Sequence, residues 1–239
     1  MVRINKYLSL CGVTSRRGAE TMIAQRRVVV NDKAVEKLGT IVDEEKDVVK
    51  VDGTIITPAS EKLCILLYKP KRVMTTLHDP FGRKTVANFV KNVSERVYPV
   101  GRLDYDTEGV LLLTNDGDLA YRLAHPKYQV NKIYEARVEG KFTEEECNRI
   151  YKGIKLEDGA IGKGTVRILR YMGKNSLIRI TLTEGRKREV KQLCKSVGHP
   201  VQELKRVEFA GLDLKGLQPG NWRHLSNHEW NSLNLLVGL

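Results

Sequence analysis

Tyr98-Pro-Val-Gly-Arg-Leu-Asp-Tyr-Asp-Thr-Glu-Gly109 runs directly into Val110-Leu-Leu-Leu-Thr114, so that two carboxylates, Asp104 and Asp106, stand just ahead of an apolar run. Five apolar or β-branched residues bounded by Gly109 and the Asn115-Asp116-Gly117 turn read as a core strand. The two aspartates are then fixed at its mouth, which is the rigid support a catalytic carboxylate needs. Loop aspartates also close turns, and spacing alone leaves both uses open. Outward from this strand, further strands are expected at Cys64–Tyr68, Asn131–Val138, Ile161–Arg170, Leu177–Leu182 and Val201–Phe209. Helices are expected near 85–91, 117–124, 143–153, 186–197 and 226–236. Strands outnumber the helices between them, which favours an α+β domain with a mixed, mainly antiparallel sheet over a doubly wound one.

The 239 residues allow one large domain or two modest ones, and 41% hydrophobic content is enough for a sizeable core. Lysines and arginines number 41 against 29 acidic residues, a net charge of +12, which favours a polyanionic partner and, of the candidates, nucleic acid. No apolar run approaches the roughly 18 residues of a membrane span, and the N-terminus has no apolar signal core. A cytoplasmic, membrane-free protein is expected, acting as a monomer. Cys11, Cys64, Cys147 and Cys194 form no CxxC pair, and the histidines form no HExxH, so no metal site is expected. His224 and His228, four apart, fit a helical surface. Gly159-Ala-Ile-Gly-Lys-Gly164 lacks phosphate-loop spacing and no GxGxxG follows a strand, so no cofactor is expected.

Residues 1–60 read as a separate module, joined through Pro58-Ala-Ser-Glu61 to a larger domain at 61–239. Ile4, Tyr7, Leu8 and Cys11 share a helical face that stops at Gly12, and Ser15 is placed to cap a second helix carrying Ala19, Met22 and Ile23 inward. Val28-Val-Val30 and Ala34-Val35 flank Asn31-Asp-Lys33 as a tight hairpin, followed by strands at Val48–Val51 and Ile55-Ile56. Residues 1–33 hold seven basic side chains, among them Arg16, Arg17, Arg26 and Arg27, against two acidic ones, whereas residues 34–60 hold three against six. Such segregation points to a phosphate-facing side. The helix pair and the segment from Val28 to Gly53 resemble the αL RNA-binding domain named for a small-subunit ribosomal protein, here the S-four domain.

Three further segments carry a second resemblance. Gly101-Arg-Leu-Asp104, Lys132-Ile-Tyr134 and Glu184-Gly-Arg-Lys-Arg-Glu-Val-Lys-Gln-Leu193 are similar to the signature segments of the RsuA/RluB family of pseudouridine synthases. Asp79-Pro-Phe-Gly-Arg-Lys-Thr-Val86 is closer to the branch acting on large-subunit ribosomal RNA. The resemblance implies isomerisation of uridine to pseudouridine without an external cofactor, in ribosomal RNA or an assembling ribosomal subunit. Asp104 is then the nucleophile or nucleophilic base. Tyr134 stacks on the extruded uracil and helps move the proton at carbon five; by itself it would read as a core strand tyrosine. Lys191 is the cation paired with Asp104. Arg102 fills the gap left by the flipped uridine, and Arg186 and Arg188 hold the RNA backbone beside the site, with Lys187 open between that use and an exposed turn. Glu189 and Gln192 depart from the family pattern, which puts local RNA contacts in question and leaves the chemistry intact. The competing readings are a non-catalytic RNA-binding ribosome-assembly factor, in which Asp104 only closes a turn, and another RNA-modifying enzyme such as a methyltransferase, for which no methyl-donor site is found.

Overall fold

The computed structural model describes residues 1–59 and 61–239. The expected Pro58–Glu61 link therefore falls partly on a residue, Ser60, outside the described ones. The chain forms two compact units: residues 1–63 with 94–96 and 115–117, and residues 64–93, 97–114 and 118–239.

In the first unit, β1 (Val2–Arg3) leads into α1 (Ile4–Leu10), which buries Ile4, Tyr7 and Leu8. Gly12 ends that turn at φ +71°, a left-handed conformation that glycine adopts at no steric cost. The Ser15 side chain then accepts a hydrogen bond from the Gly18 amide and caps α2 (Arg16–Ala24). β2 (Val28–Val30) and β3 (Lys33–Ala34) form the expected hairpin, its turn made by Asn31 and Asp32 at φ +48° and +63°. β4 (Ile41–Val42) pairs with β1, while β5 (Val49–Val51) and β6 (Thr54–Ile55) complete a sheet ordered β3-β2-β5-β6. Ala19, Ile23, Val28, Val35, Val42 and Val49 join the α1 face in one core.

The second unit is built on a sheet of nine strands. In chain order its elements begin with β7 (Cys64–Lys69), a 3-10 turn (Val86–Phe89), β8 (Tyr98–Pro99), β9 (Glu108–Thr114), α3 (Gly117–Ala124) and β10 (Lys132–Glu139). There follow α4 (Glu144–Lys152), the small ribbon β11 (Ile154–Lys155) and β12 (Ile161–Gly162), β13 (Thr165–Met172), β14 (Asn175–Leu182) and α5 (Glu189–Ser196). The chain closes with β15 (Val201–Phe209), β16 (Leu212–Asp213), β17 (Trp222–His224) and α6 (Asn227–Val237). The main sheet runs β13-β14-β10-β15-β9-β7-β17, with β16 on β15 and β8 on β9. Among the described residues, every strand pairing of this sheet is antiparallel except β15 with β9, so the expected mixed, mainly antiparallel α+β architecture is what forms. Leu119 and Leu123 of α3 and Leu233 and Val237 of α6 pack with Leu66, Val110, Leu112 and Phe209 of the sheet, each full burial of such a side chain stabilising by roughly 1.5–3 kcal/mol.

Four expectations are corrected. The segment near 85–91 is a 3-10 turn over Val86–Phe89, and the helix at 186–197 begins at Glu189 because Arg188 lies in the left-handed region at φ +53°. The strand expected over 161–170 divides into β12 and β13; Gly164 sits between them, where an added Cβ would press on Leu182. His224 is on β17 and His228 on α6, so the two share no helical face.

Candidate active site

The segment Gly101–Thr107 is held from three directions. Gly101 turns at φ +67°, and the Thr107 amide donates to the Asp104 carbonyl at 3.1 Å, closing the loop over Tyr105 and Asp106. Lys69, at the end of the otherwise apolar β7, is completely buried and donates from Nζ to the carbonyls of Pro70 (3.0 Å), Asp104 (3.1 Å) and Thr107 (2.8 Å). Burial pushes the Lys69 ammonium down to about 8, against the opposing pull of Asp106, Asp104 and Glu108. On the far side, Thr75 Oγ1 donates to the Leu103 carbonyl at 2.6 Å, and the Arg72 amide donates to the Tyr105 carbonyl at 2.6 Å. The backbone of the loop is thus fixed while the Asp104 carboxylate keeps about a third of its surface open, 37%.

Tyr134 enters from β10, where it stands between Ile180 of β14 and Arg206 of β15. Arg206 in turn pairs with Gly109 of β9, and an added Cβ at Gly109 would overlap the Arg206 backbone. Only glycine, at φ +124°, lets those two strands meet here. The Arg206 guanidinium is 2% exposed, lies 4.7 Å from the Phe209 ring centroid and 6.0 Å from that of Tyr134, and donates from Nε to the Val110 carbonyl at 2.7 Å. Lys132, also buried, donates to the carbonyls of Val130 and Thr183, and burial reinforced by the nearby Arg206 pushes it down to about 8. A cleft of about 380 Å³, including its open mouth, is lined by Arg102, Asp104, Thr107, Tyr134, Arg186 and Arg188, with Leu182, Val190 and Leu204 as apolar wall.

Lys191 reaches the loop from α5. Its Nζ is 3.7 Å from Asp104 Oδ2, but its hydrogen bonds go to Asp106, at 2.6 and 2.7 Å. The expected partnership with Asp104 is therefore shared: Asp106 is the closer anion. Burial would raise the Asp106 carboxyl, but the hydrogen bonds and charge of Lys191 outweigh it and hold Asp106 below its ordinary value. The two departures from the family pattern serve this corner internally. Glu189, buried, accepts from the Arg186 amide at 2.9 Å, and burial pushes its carboxyl up. Gln192 donates to the Lys187 carbonyl and accepts from the Glu157 amide. Arg186 is also tied to Glu184 at 2.8 Å.

Three chains of sequence reasoning thus meet here: Asp104 with Arg102, Tyr134, and Arg186 and Arg188 line one cleft, and Lys191 reaches its Asp104 from outside the lining. Arg16, Arg17, Arg26 and Arg27 belong to the other unit. There Arg16 and Arg17 are exposed at the start of α2, Arg26 lies 3.6 Å from Glu36, and Arg27 hydrogen-bonds Asp52 at 2.9 Å. The sequence reading missed Lys69, Arg206 and the role of Asp106. A lysine ending an apolar strand ahead of proline was a visible signal for the first, and none marked the second. Among the described residues, no group of three or more His, Cys, Asp or Glu side chains is placed to hold a metal, and no helix is long and apolar enough to cross a membrane.

A family model described as RNA pseudouridylate synthase matches residues 63–196, and one described as S4 domain matches residues 2–49. Over 239 residues the chain is 48% identical to an uncharacterized RNA pseudouridine synthase of Aquifex aeolicus, covering 100% of this chain and 96% of that protein. It is 42% identical over 239 residues to the ribosomal large subunit pseudouridine synthase B of Bacillus subtilis, covering 99% and 97%. A solved pseudouridylate synthase shares the fold with a TM-score of 0.70 at 24% identity, covering 98% of this chain and all of that one.

Proposed function

The chain belongs to the RNA pseudouridylate synthase family, and from that premise we propose that it isomerises a specific uridine of ribosomal RNA, in the large subunit, with Asp104 as its reacting carboxylate. The observation that carries the assignment of residues is that Asp104 and Tyr134, from separate elements, line one small basic cleft, with Lys191 reaching Asp104 at 3.7 Å from a third. The reaction breaks the bond between ribose and the ring nitrogen, turns the uracil, joins carbon five to the ribose and releases the hydrogen of carbon five as a proton, while the freed ring nitrogen takes up a proton. No group outside the RNA is consumed. A flipped uridine entering the cleft meets the Tyr134 face, whose other neighbour is the Arg206 cation. The Asp104 carboxylate serves either as nucleophile or as base toward the sugar. Lys191 keeps negative charge favourable at the paired aspartates. Arg102, Arg186 and Arg188 line the mouth, where the phosphates of a bent RNA strand pass.

Residues 1–60 deliver the enzyme to structured RNA and residues 61–239 carry the chemistry, in the cytoplasm and as a monomer, on free RNA or an assembling particle. The test is tritium release from ribosomal RNA labelled at carbon five of uridine. Wild type is expected to release it, and Asp104→Asn, nearly isosteric but neither nucleophile nor base, to abolish release with RNA affinity retained. Wild-type rates in that variant would remove Asp104 from the mechanism. Bound RNA without any release by the wild type would instead favour the assembly-factor reading.

A further inference from the structure

The segment Asp79-Pro-Phe-Gly-Arg-Lys84 is used by nothing described so far, yet it is built with care. The Asp79 carboxylate, only 4% exposed, accepts from the Phe81 amide (3.2 Å), the Arg83 amide (2.9 Å), Arg83 Nε (3.1 Å) and Arg83 Nη2 (2.7 Å). Gly82 supplies the positive φ, +70°, that the tip requires. At the base, the Met74 amide donates to the Lys84 carbonyl and the Val86 amide to the Met74 carbonyl, at 2.9 and 3.0 Å. What this scaffold displays is Phe81, 80% exposed, with the Arg83 guanidinium 5.1 Å from its ring centroid. A lone exposed aromatic needs no explanation. An aromatic ring carried on a hydrogen-bonded loop tip, with a cation against it, is different, because its backbone is already held and most of the ring is open.

The position matters as much as the ring. The stem of the loop is bonded to the catalytic segment through Thr75 with Leu103 and Arg72 with Tyr105. Within this segment Asp79 and Arg83 neutralise one another, so its net positive charge comes from Arg72 and Lys84. His78, Lys84 and Asn88, with Gly82 and Arg83 of the loop, line a concavity.

We infer that Phe81, with the Arg83 guanidinium against its ring, is a stacking platform for an unpaired nucleobase of the RNA strand that enters the cleft, with Lys84 receiving a flanking phosphate. The chemistry is general: a base face stacks on an aromatic ring without regard to sequence, and cations beside it track the backbone. Flipping the target uridine strips a neighbouring base of its stacking partner, and this loop supplies a replacement. The inference rests on the proposed action on RNA, but its site is separate from Asp104, Tyr134 and Lys191.

The experiment measures binding of the full chain to a short single-stranded RNA carrying 2-aminopurine, whose fluorescence falls when it stacks, and to the same strand with that base removed. Phe81→Ala is expected to weaken binding of the intact strand roughly 5- to 150-fold and to lose the fluorescence change. It should bind the abasic strand as wild type does. Phe81→Tyr should restore both signals and Phe81→Leu neither, which separates stacking from simple apolar contact. Thermal unfolding of each variant checks that the fold is intact, as expected for so exposed a ring. Equal binding of the intact strand by wild type and Phe81→Ala, or rescue by leucine, would overturn the inference, and the ring would then belong to a protein contact or to solvent. A wild type that stacks the probe but releases no tritium from ribosomal RNA would sink the functional reading and leave the platform standing.

Discussion

Replacing Lys69 by methionine separates two roles that a buried cation can have. The shift from the ordinary 10.5 to about 8 means that, at neutral pH, the protein carries the charged form at a cost of about 3 kcal/mol. Methionine removes that cost while keeping most of the volume. It also strands the Pro70 and Thr107 carbonyls, which Lys69 reaches at 3.0 and 2.8 Å, at about 1–3 kcal/mol each. The Asp104 carbonyl keeps the Thr107 amide. The two effects nearly cancel, so at pH 7 the variant should lose only about 0–3 kcal/mol of stability. Activity should suffer far more. The tie that fixes the Asp104–Thr107 turn is gone, and a displacement of about 1 Å at a reacting group costs on the order of 100-fold in turnover.

The pH dependence follows from the direction of the shift. Below pH 8 Lys69 is protonated in both the folded and unfolded chain, and the cost is fully present. Between 8 and 10.5 the unfolded chain binds more protons than the folded one, so the stability of the wild type gains on the variant as pH rises, by about 2.5 kcal/mol at pH 10. Urea unfolding at pH 7 and 10, with single-turnover tritium release, measures all three quantities. A loss above about 5 kcal/mol, more than stranded carbonyls can supply, would refute the reasoning. So would a variant with normal turnover, or a wild-type-to-variant gap that does not change with pH.

Asp106→Asn should leave Asp104 as the only carboxylate close to Lys191 and move the acid limb of kcat/KM to lower pH; an unmoved limb would show that Asp106 does not compete for that lysine. Gly109→Ala forces a side chain onto the Arg206 backbone at φ +124°, and the urea midpoint should report a loss of about 2–6 kcal/mol from overpacking and strain. Changing Arg16 and Arg17 together to Gln should lower the magnitude of the log-affinity versus log-salt slope for structured RNA by roughly 1.4–1.8. Arg27→Gln should lower it less, because Asp52 already holds that guanidinium.

Local chemistry made much of this fold legible before any coordinates. The Ser15 cap, the Gly12 stop and the Asn31-Asp32 turn are set by residues a few positions apart, and all three form where the pattern puts them. The same holds for α3, whose apolar positions Leu119 and Leu123 recur at helical spacing. Where the reading slipped, a partner distant in sequence or a single backbone angle decided. Glu189 begins α5 because its side chain turns back to the Arg186 amide and Arg188 takes a left-handed φ. Strands of two or three residues such as Tyr98–Pro99 and Trp222–His224 have no period to read, and exist only because β9 and β7 offer them an edge.

The floor of the cleft shows why the rest could not be read. Counting back from Lys132 with Phe209 and Ile133 with Glu208, strict antiparallel register would put Tyr134 opposite Val207; an irregularity in the pairing puts Arg206 there instead. That single extra residue also breaks the alternation of β15. Leu204, Arg206 and Phe209 face inward, although 206 and 209 are three apart. On an unbulged strand one of that pair would point to the other face. The bulge therefore creates the stack of Phe209, Arg206 and Tyr134, and the close approach at Gly109 allows Arg206 to reach the Val110 carbonyl. No composition rule places an arginine inside a sheet core. Its presence under the cleft is a product of register, which lies in the pairing of strands some seventy residues apart in the chain and not in the order of residues along either one.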